Sequence, residues 1–413
     1  MNVCIVASGD FFSDYGGGQV YVRNIVDEFI KHKELTTTVI SFSRTQQTSV
    51  KDYNGIPVHK VNSDITLHDA LKSTRPDIVH ANGEKLLTAR ICKRLNIPCV
   101  VTAHHGGIVC PAGTLLNTND EICNITADYS HCLKCYLRNT PTGLLWHPLL
   151  RHYSQQHYTN IGRRLKQLPF IPFLSPIGET GMIVSQKLEE WKELLENVTQ
   201  LIAPSNAIAE ALIRNGCPDS KITIIPHGIP ELSEVKFRVN VDKIKFYYVG
   251  RINYVKGIHV LLKAFSSIDN PNIELHIIGG TGNKTEQRYM KRLQRHFRKN
   301  KRIVWHRKVP FEQMSELTKD FHCLVHPAIY LEVFGLTISE ALAQHKYVIA
   351  TSCGGAEMQI HNVEEGILVK PNDPNELKQA IIKYTNSPKQ STAKVENIDN
   401  HTQNLIKLYS KLL

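Results

Sequence analysis

Short apolar runs alternate along the chain with segments in which apolar residues recur every three or four positions. The runs predict strands, and the helical spacing predicts helices between them. Strands are predicted at residues 1–6, 37–42, 57–61, 78–80, 99–103, 201–204, 222–225, 244–249, 275–280, 323–328, 347–351 and 366–371. Helices are predicted at residues 20–30, 67–73, 85–95, 336–344, 374–384 and 398–413. Because the two kinds of element alternate, we expect an α/β fold with mostly parallel sheets.

The length of the chain predicts more than one domain. A chain of 413 residues is too long for one hydrophobic core. A polar, charged stretch at residues 231–242 comes just before a strong apolar run, and this change of composition marks a boundary. We expect a first domain at residues 1–235, with an insert at 106–180, and a second at 236–395. Residues 396–413 form a final helix.

The turn after the predicted strand at 323–328 contains Glu332 and Gly335. Glycine lets a backbone approach a ligand closely. The predicted helix begins at Leu336, and Thr337 lies in its first turn. The unpaired N–H groups of that turn point towards the loop before it, which favours binding of an anion such as a diphosphate.

A second carboxylate, Glu340, lies further along that helix, and the next predicted strand ends at Gly354 and Gly355. Glu332 and Glu340 are too far apart to share one face of a continuous helix, so they are expected to meet different parts of one ligand. Ribose hydroxyls suit one of them. The alternative for either residue is a solvated surface carboxylate.

The first predicted strand is followed by Gly16, Gly17 and Gly18 and then by a helix, an arrangement that cradles phosphates. It is not the GxGxxG dinucleotide fingerprint, and a flexible loop is the alternative. The predicted strand at 99–103 ends at His104, for which a hydrogen-bonded, non-catalytic histidine is the alternative.

Two cations, Arg251 and Lys256, follow the predicted strand at 244–249. A guanidinium can fork two phosphate oxygens, and an ammonium acts as a point charge. The pair therefore suits a diphosphate, whereas isolated Arg and Lys residues are commonly solvated.

Taken together, these motifs resemble those of retaining family 4 glycosyltransferases of the GT-B fold, of the type that builds bacterial polysaccharides and lipopolysaccharides. The motifs are Glu332-x7-Glu340 around Phe334-Gly335, Gly354-Gly355-x-Glu357, VVTAHH followed by Cys110-Pro111, and Val249-Gly250-Arg251-x4-Lys256-Gly257. The resemblance implies two facing Rossmann-like domains, with the final helix crossing back to the first. It also implies transfer of a sugar, with retention, from a nucleotide-sugar donor to a glycan or lipid-linked acceptor.

The resemblance implies a role for each residue of the second domain. Arg251 and Lys256 clamp the donor diphosphate, together with the helix start at Gly335, Leu336 and Thr337. Glu332 holds the sugar hydroxyls and Glu340 holds the ribose. No metal or other cofactor is required for catalysis.

In the first domain the resemblance places His104 by the donor sugar, where it orients the sugar or stabilises positive charge. His105 replaces the aspartate that usually follows. Gly17 and Gly18 approach the donor diphosphate and the acceptor. Two other functions stay open: a GT-B nucleotide-sugar epimerase, which needs no acceptor, and an inactive nucleotide-sugar-binding subunit.

The charge of the chain favours anionic partners. Lys and Arg outnumber Asp and Glu by 49 to 38, which gives a formal charge of +11 and a pI of about 9.1. Nucleic acid is not expected as a partner, because no nucleic-acid-binding motif accompanies the charge. No run of roughly 18 apolar residues exists and the N-terminus lacks a basic region before its apolar run, so we expect a cytoplasmic protein.

The segment at residues 144–176 mixes aromatic and basic residues. It is either an amphipathic surface that touches an anionic membrane or a basic, partly buried insert. The first alternative predicts a peripheral protein on the inner face of the membrane that acts on a lipid-linked or lipopolysaccharide-type glycan.

Four of the ten cysteines, Cys110, Cys123, Cys132 and Cys135, lie in a stretch that is predicted to be a loop. They either hold a structural zinc ion or are four small buried residues. A similar cysteine-bearing loop occurs in a subset of family 4 enzymes, so the resemblance implies a structural feature.

Overall fold

The computed structural model of the protein describes residues 1–13, 16–137, 175–232 and 242–413. The chain divides into two compact units. Unit 1 contains Met1–Ile225 and Asn404–Leu413, and unit 2 contains Pro226–Gln403. The predicted domain boundary between residues 235 and 236 lies outside the described residues.

Unit 1 is built on an eight-stranded sheet. Its strands are β1 (Asn2–Ser8), β2 (Thr36–Phe42), β3 (Ser49–Tyr53), β4 (Ile56–Val61), β5 (Ile78–Ala81), β6 (Cys99–Thr102), β7 (Gln200–Ala203) and β8 (Ile222–Ile224). They lie in the order β3-β4-β2-β1-β5-β6-β7-β8. The β3–β4 pair is antiparallel and the pairs along the rest of this sheet are parallel.

Helices accompany this sheet. They are α1 (Gly17–Phe29), α2 (Asp64–Thr74), α3 (Lys85–Leu95), α4 (Tyr129–Leu137), α5 (Ser175–Asn197) and α6 (Asn206–Arg214). Consecutive residues of β1, from Val3 to Val6, are completely buried, as expected for a parallel strand that is covered on both faces.

Unit 2 contains a six-stranded, fully parallel sheet. Its strands are β9 (Ile244–Val249), β10 (Ile273–Ile278), β11 (Ile303–His306), β12 (Cys323–His326), β13 (Tyr347–Thr351) and β14 (Ile367–Val369). They lie in the order β11-β10-β9-β12-β13-β14. Its helices are α7 (Ile258–Ser266), α8 (Lys284–His296), α9 (Phe311–Thr318), α10 (Leu336–Ala343) and α11 (Pro374–Asn386). The final helix, α12, is Ile398–Leu412, and its residues from Asn404 onwards belong to unit 1.

Local sequence explains how helices of unit 2 begin and where they pack. Asp373 accepts hydrogen bonds from the N–H groups of Asn375 and Glu376, and Pro374 occupies the first turn, so α11 starts there. On α10, Ile338 and Leu342 are buried in the same apolar cluster as the strands β12 and β13. This packing fixes α10 and the turn that precedes it.

Each sheet has a point at which its chain connections reverse direction. In unit 2, β9 leads outwards through β10 to β11, whereas β12 leads to β13 on the other side. In unit 1 the corresponding neighbours are β1 and β5. Open α/β sheets bind ligands outside the carboxyl ends of the strands at such a point. The loops after β1, β5, β9 and β12 are therefore the candidate ligand-binding loops.

The structure corrects two local expectations. The stretch around Cys132 and Cys135 was expected to be a loop, but it forms α4, because its apolar residues Leu133 and Leu137 are buried along one face. The edge strand β3 was missed because its residues are polar and mostly exposed, so no apolar alternation marks it.

The predicted membrane segment at 144–176 lies almost entirely outside the described residues. Among the helices that the structure describes, none is long and apolar enough to span a bilayer.

The last helix is attached to unit 1 by a buried polar chain. The Tyr409 hydroxyl lies 2.6 Å from His80 Nδ1, and the other ring nitrogen of His80 lies 2.6 Å from Thr102 Oγ1. Tyr409, His80 and Thr102 are all completely buried. A buried polar atom that loses its partner costs more than an exposed one, because water cannot replace the bond.

Tyr409→Phe should therefore destabilise the protein by about 1–3 kcal/mol, since it removes a completely buried hydrogen bond between the Tyr409 hydroxyl and His80. Urea unfolding would measure the loss. Tyr136→Phe is the matched control, because within the described residues the half-buried Tyr136 hydroxyl makes no hydrogen bond. Equal stabilities of the two variants would contradict the prediction.

Candidate functional site

The loop after β9 carries Arg251 and Lys256, and its backbone is held by hydrogen bonds to the side chains of Tyr248 and Asn253. The Tyr248 hydroxyl donates to the Arg251 carbonyl at 2.8 Å, and Asn253 Oδ1 accepts from the Lys256 N–H at 3.1 Å. Gly257 has φ = +69°, and a Cβ there would lie 1.7 Å from the Pro327 carbonyl oxygen. Glycine is thus required where this loop meets the segment after β12.

Lys256 and Glu332 form an ion pair at the centre of the candidate site. Lys256 Nζ donates to Glu332 Oε2, which also lies 3.1 Å from His326 Nε2. The Tyr330 hydroxyl donates to Glu332 Oε1 at 3.0 Å, and Lys256 Nζ stands 5.2 Å from the centre of the Tyr330 ring. Both carboxylate oxygens of Glu332 are therefore bonded within the protein. The side chain of Glu332 is 11% exposed and that of Lys256 is 20% exposed.

The two charges of this pair stabilise one another. Burial alone would raise the pKa of Glu332, but the Lys256 charge and the bond to His326 outweigh it and hold that pKa well below its usual range. Burial alone would lower the pKa of Lys256, but the Glu332 carboxylate raises it well above its usual range. The contribution of Glu332 to stability is lost only as pH falls to its depressed pKa, so the pair stays charged at neutral pH.

Arg251 differs from Lys256 in that its charge is not used internally. Its side chain is exposed, and within the described ranges it makes no hydrogen bond or ion pair. Because Glu332 neutralises Lys256, the uncompensated positive charge of this loop is that of Arg251. Such a guanidinium is free to bind the oxygens of an anion.

The turn before α10 supplies backbone donors. Gly335 has φ = +85°, which favours glycine, and no side chain caps the helix that follows. Among the described residues, the N–H groups of Leu336 and Thr337 have no acceptor. The Thr337 hydroxyl lies 3.4 Å from His326 Nδ1, so this turn and the ion pair share a partner.

Glu340, further along α10, is half-buried, and within the part of the chain that the structure describes its carboxylate makes no hydrogen bond or ion pair. Burial raises the pKa of Glu340 to about 7. A half-buried carboxyl group with no partner among the described residues is a candidate for binding ligand hydroxyls.

The glycines after β13 have a packing role. Gly354 has φ = +115°, and a Cβ on Gly355 would lie 2.1 Å from Phe334 Cα. The backbones of Glu332 and Gly355 are also joined, since the Gly355 N–H donates to the Glu332 carbonyl at 2.8 Å. Glu357 accepts from the Gly354 N–H at 3.0 Å. These residues hold the Glu332 turn in place.

In unit 1, His104 follows β6 and is held from two sides. Its Nε2 lies 2.6 Å from Asn82 Oδ1, and its ring packs edge-on against Tyr21 with centroids 4.9 Å apart. Asn82 follows β5, the neighbouring strand of the sheet. His104 is half-buried and so keeps contact with solvent.

Gly17 and Gly18 lie in the first turn of α1, whereas the sequence placed them in the loop before it. The helix starts earlier because the N–H groups of Gln19 and Val20 donate to the Gly16 carbonyl, at 3.0 and 3.1 Å. A Cβ on Gly16 or Gly18 would meet no atom within 4 Å, so packing does not explain these glycines.

The four clustered cysteines, all of them described, do not form a zinc site as they lie. Burial first, and then the neighbouring Cys110 and Cys135, raise the pKa of Cys132 to about 12, so the thiols are close enough to interact. No three of the four sulfurs lie within 4.8 Å of one another, whereas tetrahedral zinc with Zn–S bonds of about 2.3 Å needs closer sulfurs. The arrangement of the four sulfurs does not fit tetrahedral zinc, and structural zinc therefore stays a prediction from the sequence.

Sequence reasoning missed His326, Tyr330 and Asn82. His326 and Asn82 stand at or directly after the carboxyl end of a strand, and that position was a usable signal. Of the predicted site residues, the structure joins Lys256 to Glu332 directly and places Thr337 beside His326, which also contacts Glu332. His104, Gly17 and Gly18 belong to unit 1.

Comparison with known families finds a match in the second half of the chain. Residues 231–401 match the model of the family described as glycosyl transferases group 1. An uncharacterized glycosyltransferase from Methanocaldococcus jannaschii is 26% identical over 200 residues, which cover 46% of this chain and 50% of the relative. The chain thus spans about half the length of that curated relative.

Solved structures share the fold over the whole chain. Sucrose-phosphate synthase from Thermosynechococcus elongatus has a TM-score of 0.71 at 18% identity, covering 100% of this chain and 98% of the other. Anabaena HepE, solved with UDP and glucose, has a TM-score of 0.66 at 15% identity, covering 99% of each chain. The predicted GT-B fold, α/β with mostly parallel sheets, is confirmed.

Proposed function

We propose that the protein is a glycosyltransferase that moves a sugar from a nucleotide-sugar donor to a glycan or lipid-linked acceptor, with unit 2 binding the donor. The observation that carries the proposal is the arrangement at the β9–β12 reversal of unit 2. There an uncompensated Arg251 and the uncapped start of α10 accompany the buried Lys256–Glu332 pair. The segment that matches a glycosyltransferase family contains all of these residues.

The chemistry follows from where negative charge develops. When the anomeric bond of the donor breaks, charge accumulates on the departing diphosphate, and fixed positive groups lower the barrier by stabilising it. Arg251 supplies a forked cation, and the N–H groups of Leu336 and Thr337 supply helix-end donors. Lys256 keeps part of its donor capacity, because an ammonium has three N–H bonds. These groups let the diphosphate leave without a catalytic metal.

The roles of the other residues follow the sequence resemblance. We propose that Glu332 holds the sugar hydroxyls, with its orientation fixed by Lys256, Tyr330 and His326, and that His104 lies by the sugar. Retention of configuration is also proposed on the resemblance. Since HepE was solved with UDP and glucose, a UDP-sugar is the first donor to test.

The proposal is tested by screening nucleotide sugars for thermal stabilisation, because a ligand present at 100 times its Kd stabilises by about 2.7 kcal/mol. Turnover is then measured with and without a panel of glycan and lipid-linked acceptors. Transfer that needs an acceptor supports the proposal. Conversion of the donor into another nucleotide sugar would show an epimerase, and binding without turnover would show an inactive subunit.

The membrane part of the proposal is tested separately. The basic charge and the segment at 144–176 motivate a peripheral association with the inner membrane surface, where a lipid-linked or lipopolysaccharide-type acceptor would lie. The protein should bind anionic vesicles at low salt and lose that binding as salt rises. A protein that ignores anionic vesicles at low salt would favour a soluble acceptor.

Donor affinity should depend on pH through Glu340. We propose that its carboxylate accepts hydrogen bonds from the ribose, and a proton on Glu340 competes with that contact. Because the pKa of Glu340 is raised to about 7, donor affinity should rise roughly tenfold between about pH 6 and pH 8. Titration calorimetry at several pH values, with a nucleotide sugar that the thermal screen has identified as a ligand, would measure this change in affinity. In Glu340→Gln the profile should be flat, and a wild-type slope in that variant would contradict the assignment.

A further inference from the structure

Helix α8 of unit 2 carries a row of cations on its solvent side. We call its exposed cations the basic face of α8, and they are Lys284, Arg288, Lys291, Arg292 and Arg295. Successive residues of an α-helix are about 100° apart around its axis, so these five side chains fall within about 100° of one another. The opposite side of the helix is buried, at Tyr289 and Leu293. The basic face therefore points into solvent.

Contacts on the buried side fix the orientation of α8. The Tyr289 hydroxyl lies 2.8 Å from His259 Nδ1, and His259 is on the neighbouring helix α7. Leu293, one turn beyond Tyr289, is buried as well. The start of the helix is capped, since the Asn283 side chain accepts from the Glu286 N–H at 2.9 Å. The basic face is thus a fixed row of charges on unit 2.

No carboxylate neutralises the basic face. The one acidic residue of α8, Glu286, turns back towards the loop before the helix, where it accepts from the Gly282 N–H at 2.5 Å. Among the residues that the structure describes, the five cations of the basic face make no ion pair. By contrast, the exposed Lys243 of the same unit is paired with Glu274 at 2.6 Å. The basic face therefore keeps five uncompensated charges.

The length of the basic face indicates an extended partner. Like charges four residues apart destabilise a helix, and the basic face contains three such pairs. Lys284 and Arg295 are separated by about 16 Å along the helix axis, since each residue rises about 1.5 Å. The chain directly after α8 adds further exposed cations, Arg298, Lys299 and Lys301. One small anion cannot contact a row of this length, whereas an array of anionic groups can.

An anionic membrane surface suits the basic face better than a nucleic acid does. A cluster of about four to eight Lys and Arg residues on a helix is typical of binding to acidic phospholipid headgroups. Proteins that bind single-stranded nucleic acid add aromatic side chains on which bases stack, but Tyr289, the aromatic residue of α8, is buried. No apolar residue of α8 is exposed either. We therefore expect contact with headgroups that weakens as salt rises.

We propose that unit 2 docks on an anionic phospholipid surface through the basic face of α8. The inference rests on the proposed function, which places the acceptor at the inner membrane surface. It names a membrane-contacting surface on unit 2, separate in sequence from the segment at 144–176. Because the contact is electrostatic, it requires the positive charges but not a particular choice of Lys or Arg.

The test is co-sedimentation of the full chain with vesicles of phosphatidylglycerol and phosphatidylcholine in equal parts. The triple variant carries Arg288→Gln, Lys291→Gln and Arg295→Gln. Its vesicle affinity should fall about a hundredfold, because each cation near an anionic surface contributes about a factor of five. Glutamine is as good a helix former as lysine or arginine, so α8 should stay folded in this variant.

The matched control removes three exposed lysines near the opposite edge of the unit 2 sheet. Lys370 directly follows β14, Lys383 is on α11, and Lys394 follows that helix. In this sheet β14 and β11 are the two edge strands. Replacing all three lysines by glutamine should change the affinity by less than about threefold at about 0.1 M salt, where charges are screened beyond about 10 Å.

A charge-conserving variant, Arg288→Lys with Arg295→Lys, should bind the vesicles as the wild type does. Wild-type affinity in the triple variant would overturn the inference, as would an equal loss in the lysine control. Failure of the wild type to bind the anionic vesicles would also overturn it, and so would equal binding to vesicles of phosphatidylcholine alone.

Duplex RNA is the competing polyanion, so its binding is measured with the same variants. If the wild type binds duplex RNA more tightly than the vesicles and the triple variant loses that binding, the basic face is a nucleic-acid surface and the inference is wrong. Failure of the proposed function is seen separately. Stabilisation by a nucleotide sugar should be equal in the wild type, the triple variant and the control, and a wild type that consumes no nucleotide sugar would refute sugar transfer without changing the vesicle result.

Discussion

Replacing Arg251 by methionine should reduce turnover about a hundredfold or more while leaving the fold unchanged. The loss is expected because a fixed positive group that stabilises a leaving group is worth about that factor. The free energy of unfolding should stay within about 0.5 kcal/mol of the wild-type value, since Arg251 is exposed and makes no hydrogen bond or ion pair within the described residues. The measurement is the rate of nucleoside diphosphate release from the donor found by screening, with urea unfolding run in parallel.

Lys263→Met is the matched control for Arg251→Met, because Lys263 is an exposed cation on α7, close in sequence to the same loop. It should turn over at the wild-type rate. Near-native turnover in Arg251→Met, or an equal loss in Lys263→Met, would refute the proposed role of Arg251.

Lys256 requires a different design, because its removal leaves the buried Glu332 carboxylate without its counter-charge. Breaking such a pair costs about 3–5 kcal/mol, so Lys256→Met loses stability as well as activity. The double variant Lys256→Met with Glu332→Gln removes both charges and should recover much of that stability. It should still turn over about a hundredfold or more slowly than the wild type. Wild-type turnover in the double variant would remove both residues from the mechanism.

The second large effect is expected at Gly257. A Cβ there would lie 1.7 Å from the Pro327 carbonyl oxygen, so Gly257→Ala must separate the loop after β9 from the segment after β12. Because Lys256 precedes Gly257 directly, this movement also disrupts its pairing with Glu332. We expect the free energy of unfolding to fall by more than about 3 kcal/mol and turnover to be lost. Urea unfolding and the donor assay measure the two effects.

Gly216→Ala is the control for Gly257→Ala. Gly216 has φ = +87°, but a Cβ there would meet no atom within 4 Å. Gly216→Ala should therefore lower the free energy of unfolding by only about 1–2 kcal/mol, because a residue with a side chain is disfavoured in a left-handed conformation by about that amount. If Gly257→Ala is no more destabilising than Gly216→Ala, the close contact with Pro327 does not constrain the loop.

The sequence by itself determined the elements that are marked by apolar runs. The strands β9 and β13 have the predicted bounds, because each is a continuous apolar segment between polar turns. The helix α3 also has its predicted bounds. The loops that follow strands contain Arg251, Lys256 and Glu332. The sequence therefore placed these residues at the carboxyl ends of parallel strands, where ligands bind. Strands without such a pattern, such as β3, could not be found in this way.

The tertiary structure alone decided which of these residues meet. Glu332 is bonded to Lys256 because β9 and β12 are neighbours in the sheet, and strand order is not written in local periodicity. The same cause brings Asn82 to His104, since β5 pairs with β6. It also decided that Lys256 is neutralised while Arg251 is not. Local spacing fixes where a side chain lies along its strand, whereas burial and counter-charges depend on contacts between segments distant in the chain.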